Sequence, residues 1–285
     1  MELKKPSWIT TTVNLTSFNK LNSKIKNYKL HVVCFEASCP NIGICFNRKT
    51  ATFLILGDIC TRNCIFCGIK HGNPSLPDPA EPKNIAKLVK ELNLKHAVIT
   101  SVTRDDLEDQ GVSQFIQTIQ EIRKIVQKVI IEVLIPDFQG NKNILNQLIR
   151  EKPEIINHNV ETVSRLYRKV RPQANYSQSL EILSYIKKQD PTIYTKSGFM
   201  VGIGETINEI LALIHDLKKN NCDILTIGQY LRPSESQFPV QRYYKPEEFQ
   251  KFEKFGKKLG FISVTAAPLI RSSYNAESIS KKFLI

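Results

Sequence analysis

The sequence predicts an α/β fold: a partial (β/α)6 barrel, TIM-like in plan, with an extension at each end. Three observations lead there. Short apolar runs rich in β-branched residues alternate with stretches of helical periodicity, about 30 residues per unit, as in parallel strands joined by right-handed crossovers. Six or seven such units are too few to close an eight-unit barrel. No repeat, low-complexity tract or linker interrupts residues 50–265. The expected division is therefore an N-terminal extension over 1–50, the barrel over 51–265 and a C-terminal extension over 266–285.

The first strand is Ala51–Gly57, one of these short, largely apolar runs. Asn84–Leu92 is helical in pattern, and His96–Val102 is the second strand. A helix over Ser113–Val126 precedes the strand Val129–Pro136, and one over Asn143–Arg150 precedes the strand Glu154–Val160. Helical stretches at Arg165–Val170 and Ser177–Gln189 lead to a strand within Ile193–Gly202. Thr206 and Glu209 have capping-box spacing, and Ile207, Ile210, Leu211, Ile214 and Leu217 form the apolar face of the helix they start. Asp223–Leu231 is the sixth strand. A helix opening at Pro246 should bury Phe249, Phe252 and Leu259 before Gly260 stops it, and Phe261–Thr265 completes the alternation.

A chain of 285 residues can bury a substantial core, and its 41% hydrophobic and 24% charged content is ordinary for a globular protein. No apolar stretch approaches the roughly 20 residues needed to span a bilayer. Residues Met1–Trp8 lack the apolar segment of a signal peptide and the Arg/Ser bias of a transit peptide, so a cytoplasmic location with reduced thiols is expected. The net charge of +13 would attract acidic proteins, anionic cofactors or nucleic acid. No aromatic-interleaved basic stretch accompanies it, and Lys187–Lys188, Lys218–Lys219, Lys257–Lys258 and Lys281–Lys282 are dispersed as on solvated helix faces, so neither nucleic acid nor a membrane is expected as a partner.

Six of seven cysteines lie between positions 34 and 67, in two triplets: Cys34, Cys39, Cys45 and Cys60, Cys64, Cys67. Three thiolates leave one coordination position of a metal or cluster open, and open positions are where chemistry happens. The second triplet has C-x3-C-x2-C spacing directly after the first strand, at the strand end where barrel folds place chemistry. Such a triplet can hold three irons of a 4Fe–4S cluster and leave the fourth iron for a ligand. A zinc knuckle using His71 as fourth ligand is the alternative, and it would explain neither the strand nor the alternation. Arg62 and Asn63 are expected to cover the cluster as loop residues. Cys222, with no cysteine near it, is expected to be a small buried side chain.

With Phe66 beside Cys67, the second triplet resembles the radical S-adenosylmethionine (SAM) superfamily. The first triplet, C-x4-C-x5-C, followed by Asn47 to Cys60, is similar to that of the lipoyl synthase family. Pro6-Ser7-Trp8, Thr100–Leu107, Leu134–Phe138, Asn157–Thr162, Tyr167–Pro172, Thr195–Gly198, Gly204–Thr206, Gly228–Ser234 and Arg271–Tyr274 match that family's signatures in order, across nearly the whole chain.

The resemblance implies two 4Fe–4S clusters. Cys60, Cys64 and Cys67 would hold the one that cleaves SAM. Cys34, Cys39 and Cys45 would hold an auxiliary one, with a serine of the Arg-Ser-Ser-Tyr element as fourth ligand, Ser273 in the first instance and Ser272 as the fallback. The activity implied is insertion of two sulfur atoms at carbons 6 and 8 of an octanoyl group carried on a protein lysine, with the auxiliary cluster as sulfur donor. Phe66, Ser101, Arg104, Asp105, Asn159, Glu161, Lys196, Ser197 and Arg232 become candidates for holding SAM, and Arg171 for meeting either the SAM carboxylate or an acid of the carrier. The implied partners are octanoylated lipoyl-carrier domains (the glycine cleavage H protein and acyltransferase subunits of 2-oxoacid dehydrogenases), an electron donor such as ferredoxin or flavodoxin, and iron–sulfur assembly proteins.

The match departs from the family pattern at Phe35 and Ile44, where acidic residues are usual, and at Gln237 and Phe238, where histidine and leucine precede Pro-Val. None of these is an expected ligand. Three other readings remain beside it: a biotin-synthase-like enzyme with the same radical machinery, a non-catalytic iron–sulfur redox protein, and a zinc-stabilised nucleic-acid binder.

Overall fold

Each strand expected from the sequence is present in the computed structural model, which describes residues 3–9, 15–47 and 51–277. Arg48, Lys49 and Thr50 of the run into the second triplet, and Lys281–Lys282, lie outside the described residues. The chain divides into two compact units. The N-terminal unit is built mainly on Thr11–Arg62 and Ile69–Ile156, and the C-terminal unit on Asn63–Gly68 and Asn157–Tyr274.

In the N-terminal unit, helix α1 (Leu15–Asn27) precedes strand β1 (His31–Val32) and the short helices α2 (Val33–Glu36) and α3 (Ile42–Asn47). Strand β2 (Thr52–Ile55) is followed by the two-stranded parallel ribbon β3 (Ile59–Cys60) and β4 (Lys70–His71). Helix α4 (Glu81–Glu91), strand β5 (His96–Ser101), helix α5 (Val112–Ile125), strand β6 (Ile130–Leu134) and helix α6 (Lys142–Arg150) complete it. The strand order is β1-β2-β5-β6, with β1 antiparallel to β2 and the remaining pairs parallel. All four residues of β2 are buried, in keeping with its largely apolar sequence. Helix α4 turns Ile85, Leu88 and Val89 inward, and α5 turns Val112, Phe115, Ile119 and Ile122 inward, each at helical spacing.

Strand β7 (Ile155–Asn157) leads into the C-terminal unit, which contains helices α7 (Tyr167–Val170) and α8 (Tyr176–Gln189), strand β8 (Tyr194–Val201), helix α9 (Ile207–Lys219), strand β9 (Ile224–Gln229), helix α10 (Pro246–Lys258) and strand β10 (Ser263–Ala266). Strands β8, β9 and β10 pair in parallel, with Lys196 opposite Ile224 and Ser263 opposite Ile224 on its other side. Among the described residues no strand pairing closes the sheet into a ring, as a partial barrel requires.

Two sequence expectations need adjustment here. The buried face of α9 is Ile210, Leu213, Ile214 and Leu217, whereas Ile207 is exposed and Leu211 only partly covered. The helix turns its 210/213/214/217 stripe to the core, and that rotation carries 207 to the rim. Leu259 caps the end of α10 and is half-buried, while Phe249 and Phe252 are buried and pack edge to face with Tyr244. Gly260 follows with φ +87°, the left-handed conformation that ends the helix.

The capping box at the start of α9 is present: Thr206 Oγ1 accepts from Glu209 N (3.3 Å) and Glu209 Oε2 accepts from Thr206 N (2.8 Å). Arg165 adds a two-pronged ion pair to the same carboxylate, at 2.7 and 3.0 Å. The Arg165 bonds first, and then the Thr206 backbone, hold the Glu209 carboxyl down to about 2. A folded-state value below the unfolded one adds stability above the unfolded value and loses it as pH falls toward the folded value. Glu209→Gln should therefore lower the urea midpoint near neutral pH, and the gap from wild type should close as pH is lowered from about 5 toward 2.

Candidate active site

Cys60 ends the β3 strand, where its carbonyl accepts from Gly72 N at 3.0 Å. Its thiol sulfur accepts two backbone N–H groups, from Thr103 at 3.3 Å and from Arg62 at 3.4 Å. Thr61 stitches the cysteine loop to the loop after β5: its N–H and its hydroxyl both donate to Thr103 O, and its Oγ1 accepts from Asp105 N at 3.2 Å.

Arg62, expected as a covering loop residue, is instead buried between two carboxylates. Its Nε and Nη2 donate to Asp105 at 2.6 and 2.9 Å, and its Nη1 and Nη2 donate to Asp137 at 2.7 and 2.8 Å. Burial works against the guanidinium charge, but the two carboxylates outweigh it and hold the group above its ordinary value. Asp137 also accepts from Gln139 N, opening a single turn in which Phe138 and Gln139 have φ +43° and +49°. Two successive non-glycine residues in the left-handed region store strain of about 1 kcal/mol or more each, and such strain gathers at functional sites.

Cys64 and Cys67 are held within the C-terminal unit. Cys67 N donates to Cys64 O at 3.0 Å, Ile65 N to Val170 O at 3.1 Å, and Phe238 N to Ile65 O at 3.0 Å. Ile65 and Phe66 pack on that unit's apolar core.

The first triplet occupies two short helices and the turn between them. Cys34 lies in α2 and Cys45 in α3, while Cys39 follows Ser38, whose φ is +50°. Cys39 N donates to Cys34 O, Ile42 N to Cys39 O and Cys45 N to Asn41 O, and Cys34 is near enough to Cys39 and Cys45 for both to act on its thiol. Burial, then the nearby Cys39, pushes the Cys34 thiol up to about 12. Such a thiol binds metal only by giving up its proton. Phe35, standing where an acidic residue is usual, packs edge to face against Phe18 at 5.6 Å. Cys222 is fully buried and donates to Ile224 O, in the structural role expected of it.

The polar candidates separate into two sets. In the N-terminal unit, Ser101 Oγ at the end of β5 is buried and has no hydrogen-bond partner among the described residues. Asp105 faces Arg62, and Arg104 is buried in a two-pronged pair with Asp106 at 2.9 and 2.8 Å. In the C-terminal unit, Asn159 Nδ2 donates to Glu161 Oε1 (3.0 Å) and to Ser272 Oγ (2.6 Å), which in turn reaches Asn159 Oδ1 at 2.9 Å. Val160 N donates to Ser197 Oγ, and His158 N to the carbonyl of the buried Lys196. Glu161, at φ +68°, bridges to Phe199 beside β8. Burial raises its carboxyl's pKa, against the opposing pull of Arg171, Asn159 and Arg271. Arg171 Nη1 donates to the carbonyls of Asn159 and Val160 and to Tyr167 Oη, bracing this segment. Arg232 donates to Gln237 O and Glu235 O within its own loop.

The Arg-Ser-Ser-Tyr element forms a turn, with Tyr274 N donating to Arg271 O at 2.9 Å, and Ser273 is half-buried in it. The approach of this segment to β9 depends on Gly228: a Cβ there would lie 2.0 Å from Ile270 O. Thr61, Thr103 and Asp137 lie inside stretches the sequence marks, but none of them is among its candidate site residues, since what recruits them is contact between loops far apart in the chain.

Residues 54–217 match the family model of the radical SAM superfamily. Over 277 residues the chain is 49% identical to the lipoyl synthase of Caldanaerobacter subterraneus subsp. tengcongensis, covering 97% of each chain. Over 282 residues it is 48% identical to that of Caldicellulosiruptor saccharolyticus, covering 99% of each. The chain belongs to the lipoyl synthase family of radical SAM enzymes. Solved structures agree on the fold: methylornithine synthase aligns at TM-score 0.56 and 13% identity, covering 95% of this chain and 88% of that one. A maturase of the FeFe-hydrogenase aligns at TM-score 0.62 and 14% identity, covering 80% and 54%.

Membership in this family implies SAM and a 4Fe–4S cluster. The residues present fit that pair: three thiols at C-x3-C-x2-C spacing for the cluster, and the unpartnered Ser101 hydroxyl at a strand end for a polar ligand. No helix among the described residues is long and apolar enough to cross a membrane.

Proposed function

We propose that this chain converts a protein-bound octanoyl-lysine into lipoyl-lysine by inserting sulfur at carbons 6 and 8. The observation that carries the reading is the pair of cysteine triplets, at C-x4-C-x5-C and C-x3-C-x2-C spacing, in a chain related over nearly its full length to lipoyl synthases. When bound, the cluster and SAM supply a carbon radical able to take hydrogen from unactivated C–H bonds, and a second, auxiliary 4Fe–4S cluster supplies the sulfur. Cys60, Cys64 and Cys67 would hold the first cluster. Cys34, Cys39 and Cys45 would hold the second, with Ser273 as its fourth ligand. The hydrogen bonding of Ser272 to Asn159 supports Ser273 over Ser272, because it commits the Ser272 hydroxyl elsewhere. An alkoxide is a harder and poorer partner for iron than a thiolate, so that corner of the cluster would open most readily.

Residues 1–50 and 266–285 would then be extensions that bring the auxiliary ligands to the barrel of 51–265. The chain's own polar groups would orient SAM: Ser101 through its unpartnered hydroxyl, and Asn159, Glu161 and Ser197 from the segment that Arg171 braces. The substrates would be octanoylated carrier domains, with a ferredoxin or flavodoxin as reductant and iron–sulfur assembly proteins restoring the auxiliary cluster, in the cytoplasm. The +13 charge suits docking to acidic carriers. Affinity for an octanoylated carrier, measured by titration, should fall several-fold between about 0.05 and 0.3 M salt. Salt-independent affinity would leave the charge as composition without a docking role. The reading as a whole is tested by anaerobic reconstitution with an octanoylated carrier peptide. The product should gain two sulfur atoms, with two hydrogens fewer only after the dithiol is oxidised to the disulfide, and an unchanged mass would refute it.

A further inference from the structure

The thiol sulfur of Cys60 accepts two backbone N–H groups, one from its own loop at Arg62 and one from the loop after β5 at Thr103. Neither donor is in a regular element that would fix it. What fixes both is the Arg62 side chain, which uses four N–H bonds to join the cysteine loop to Asp105 beside Thr103 and to Asp137 after β6. Asp137 is almost wholly buried and anchored by Gln139 N, so the far end of the clamp cannot swing. Thr61 adds the neutral part of the stitching, accepting from Asp105 N and donating to Thr103 O.

A hydrogen bond to a cluster sulfur favours the more negative, reduced state and so raises the reduction potential. We propose that Arg62, clamped between Asp105 and Asp137, is a positioning residue that aims these two N–H groups at Cys60 and thereby sets the reduction potential of the cluster bound there. The inference rests on the reading that Cys60, Cys64 and Cys67 hold an iron–sulfur cluster. It assigns Asp105 to this clamp rather than to contact with SAM.

The test is an electron paramagnetic resonance redox titration of the reconstituted full chain without SAM. Arg62→Lys keeps the charge and removes the forked geometry, so a change in potential reports the N–H groups and not the net charge. Its midpoint should fall by enough to change the reduced-to-oxidised ratio at fixed potential about tenfold, which is about 59 mV for one electron. Thr61→Val, neutral and nearly isosteric, should shift it in the same direction by less. The two variants, loaded to wild-type iron content and holding the wild-type midpoint, would overturn the proposal. If only Arg62→Lys fails to load, Thr61→Val decides. If neither loads while both keep native circular dichroism, the proposal is also overturned, since the clamp would then build the site rather than tune it. Wild-type protein without a cluster at Cys60, Cys64 and Cys67 would instead remove the functional reading beneath it, and that control is scored first.

Discussion

Cys64→Ala protein, reconstituted anaerobically and reduced, is expected to cleave SAM no faster than a protein-free control. Two thiolates in place of three would not retain the cube, and the iron content should drop from about eight to about four per chain when the first triplet remains loaded. The fold should survive, because the hydrogen bond that shapes this turn runs between backbone atoms, from Cys67 N to Cys64 O, and alanine keeps it. A circular dichroism spectrum like wild type's would confirm that. SAM cleavage at the wild-type rate would mean that the second triplet does not hold the reactive cluster.

Cys39→Ala is expected to give the complementary result: SAM cleaved, and no sulfur in the product. Cys39 sits in the turn between α2 and α3, and its backbone bonds to Cys34 O and Ile42 N do not need its side chain. What is lost is one of the three thiolates at the first triplet, and with it, on the proposed reading, the sulfur donor. Mass analysis of the octanoylated peptide should show no sulfur gain, while 5′-deoxyadenosine still accumulates. A normal yield of lipoyl product would separate Cys34, Cys39 and Cys45 from sulfur donation. The two variants together assign one triplet to radical formation and the other to sulfur supply, which neither can do alone.

The parallel strands were legible because burial on both faces favours short, largely apolar runs; β2 and β9 are buried at every residue, although Thr226 and Gln229 interrupt the apolar run of β9. Helices α5, α8 and α9 were legible from periodicity, and α9 also from the Thr206–Glu209 cap. The elements around the first triplet were not. A two-residue strand and helices of four and six residues are shorter than any window in which a period can be counted. The exact face of α9 was missed because Leu211 and Leu213 are equally apolar, and only packing chooses between them. At the candidate site, the cysteines were legible by spacing. The Arg62 clamp was not, since Arg62 and Asp137 stand 75 positions apart and nothing local marks either as a partner for the other.

Gly228 gives the tail a dependence that its own residues do not reveal. Because the Ile270 carbonyl rests where any side chain at 228 would begin, the seat of the Arg271–Tyr274 turn is decided on β9, well upstream. Pro268 O accepts from Gln229 N, so the same strand supplies both the opening and the anchor. A library randomised at position 228 should return glycine almost alone under selection for lipoylation. The tolerance of this C-terminal stretch is thus written elsewhere in the chain, and grafting it onto another barrel would require carrying that bare position with it.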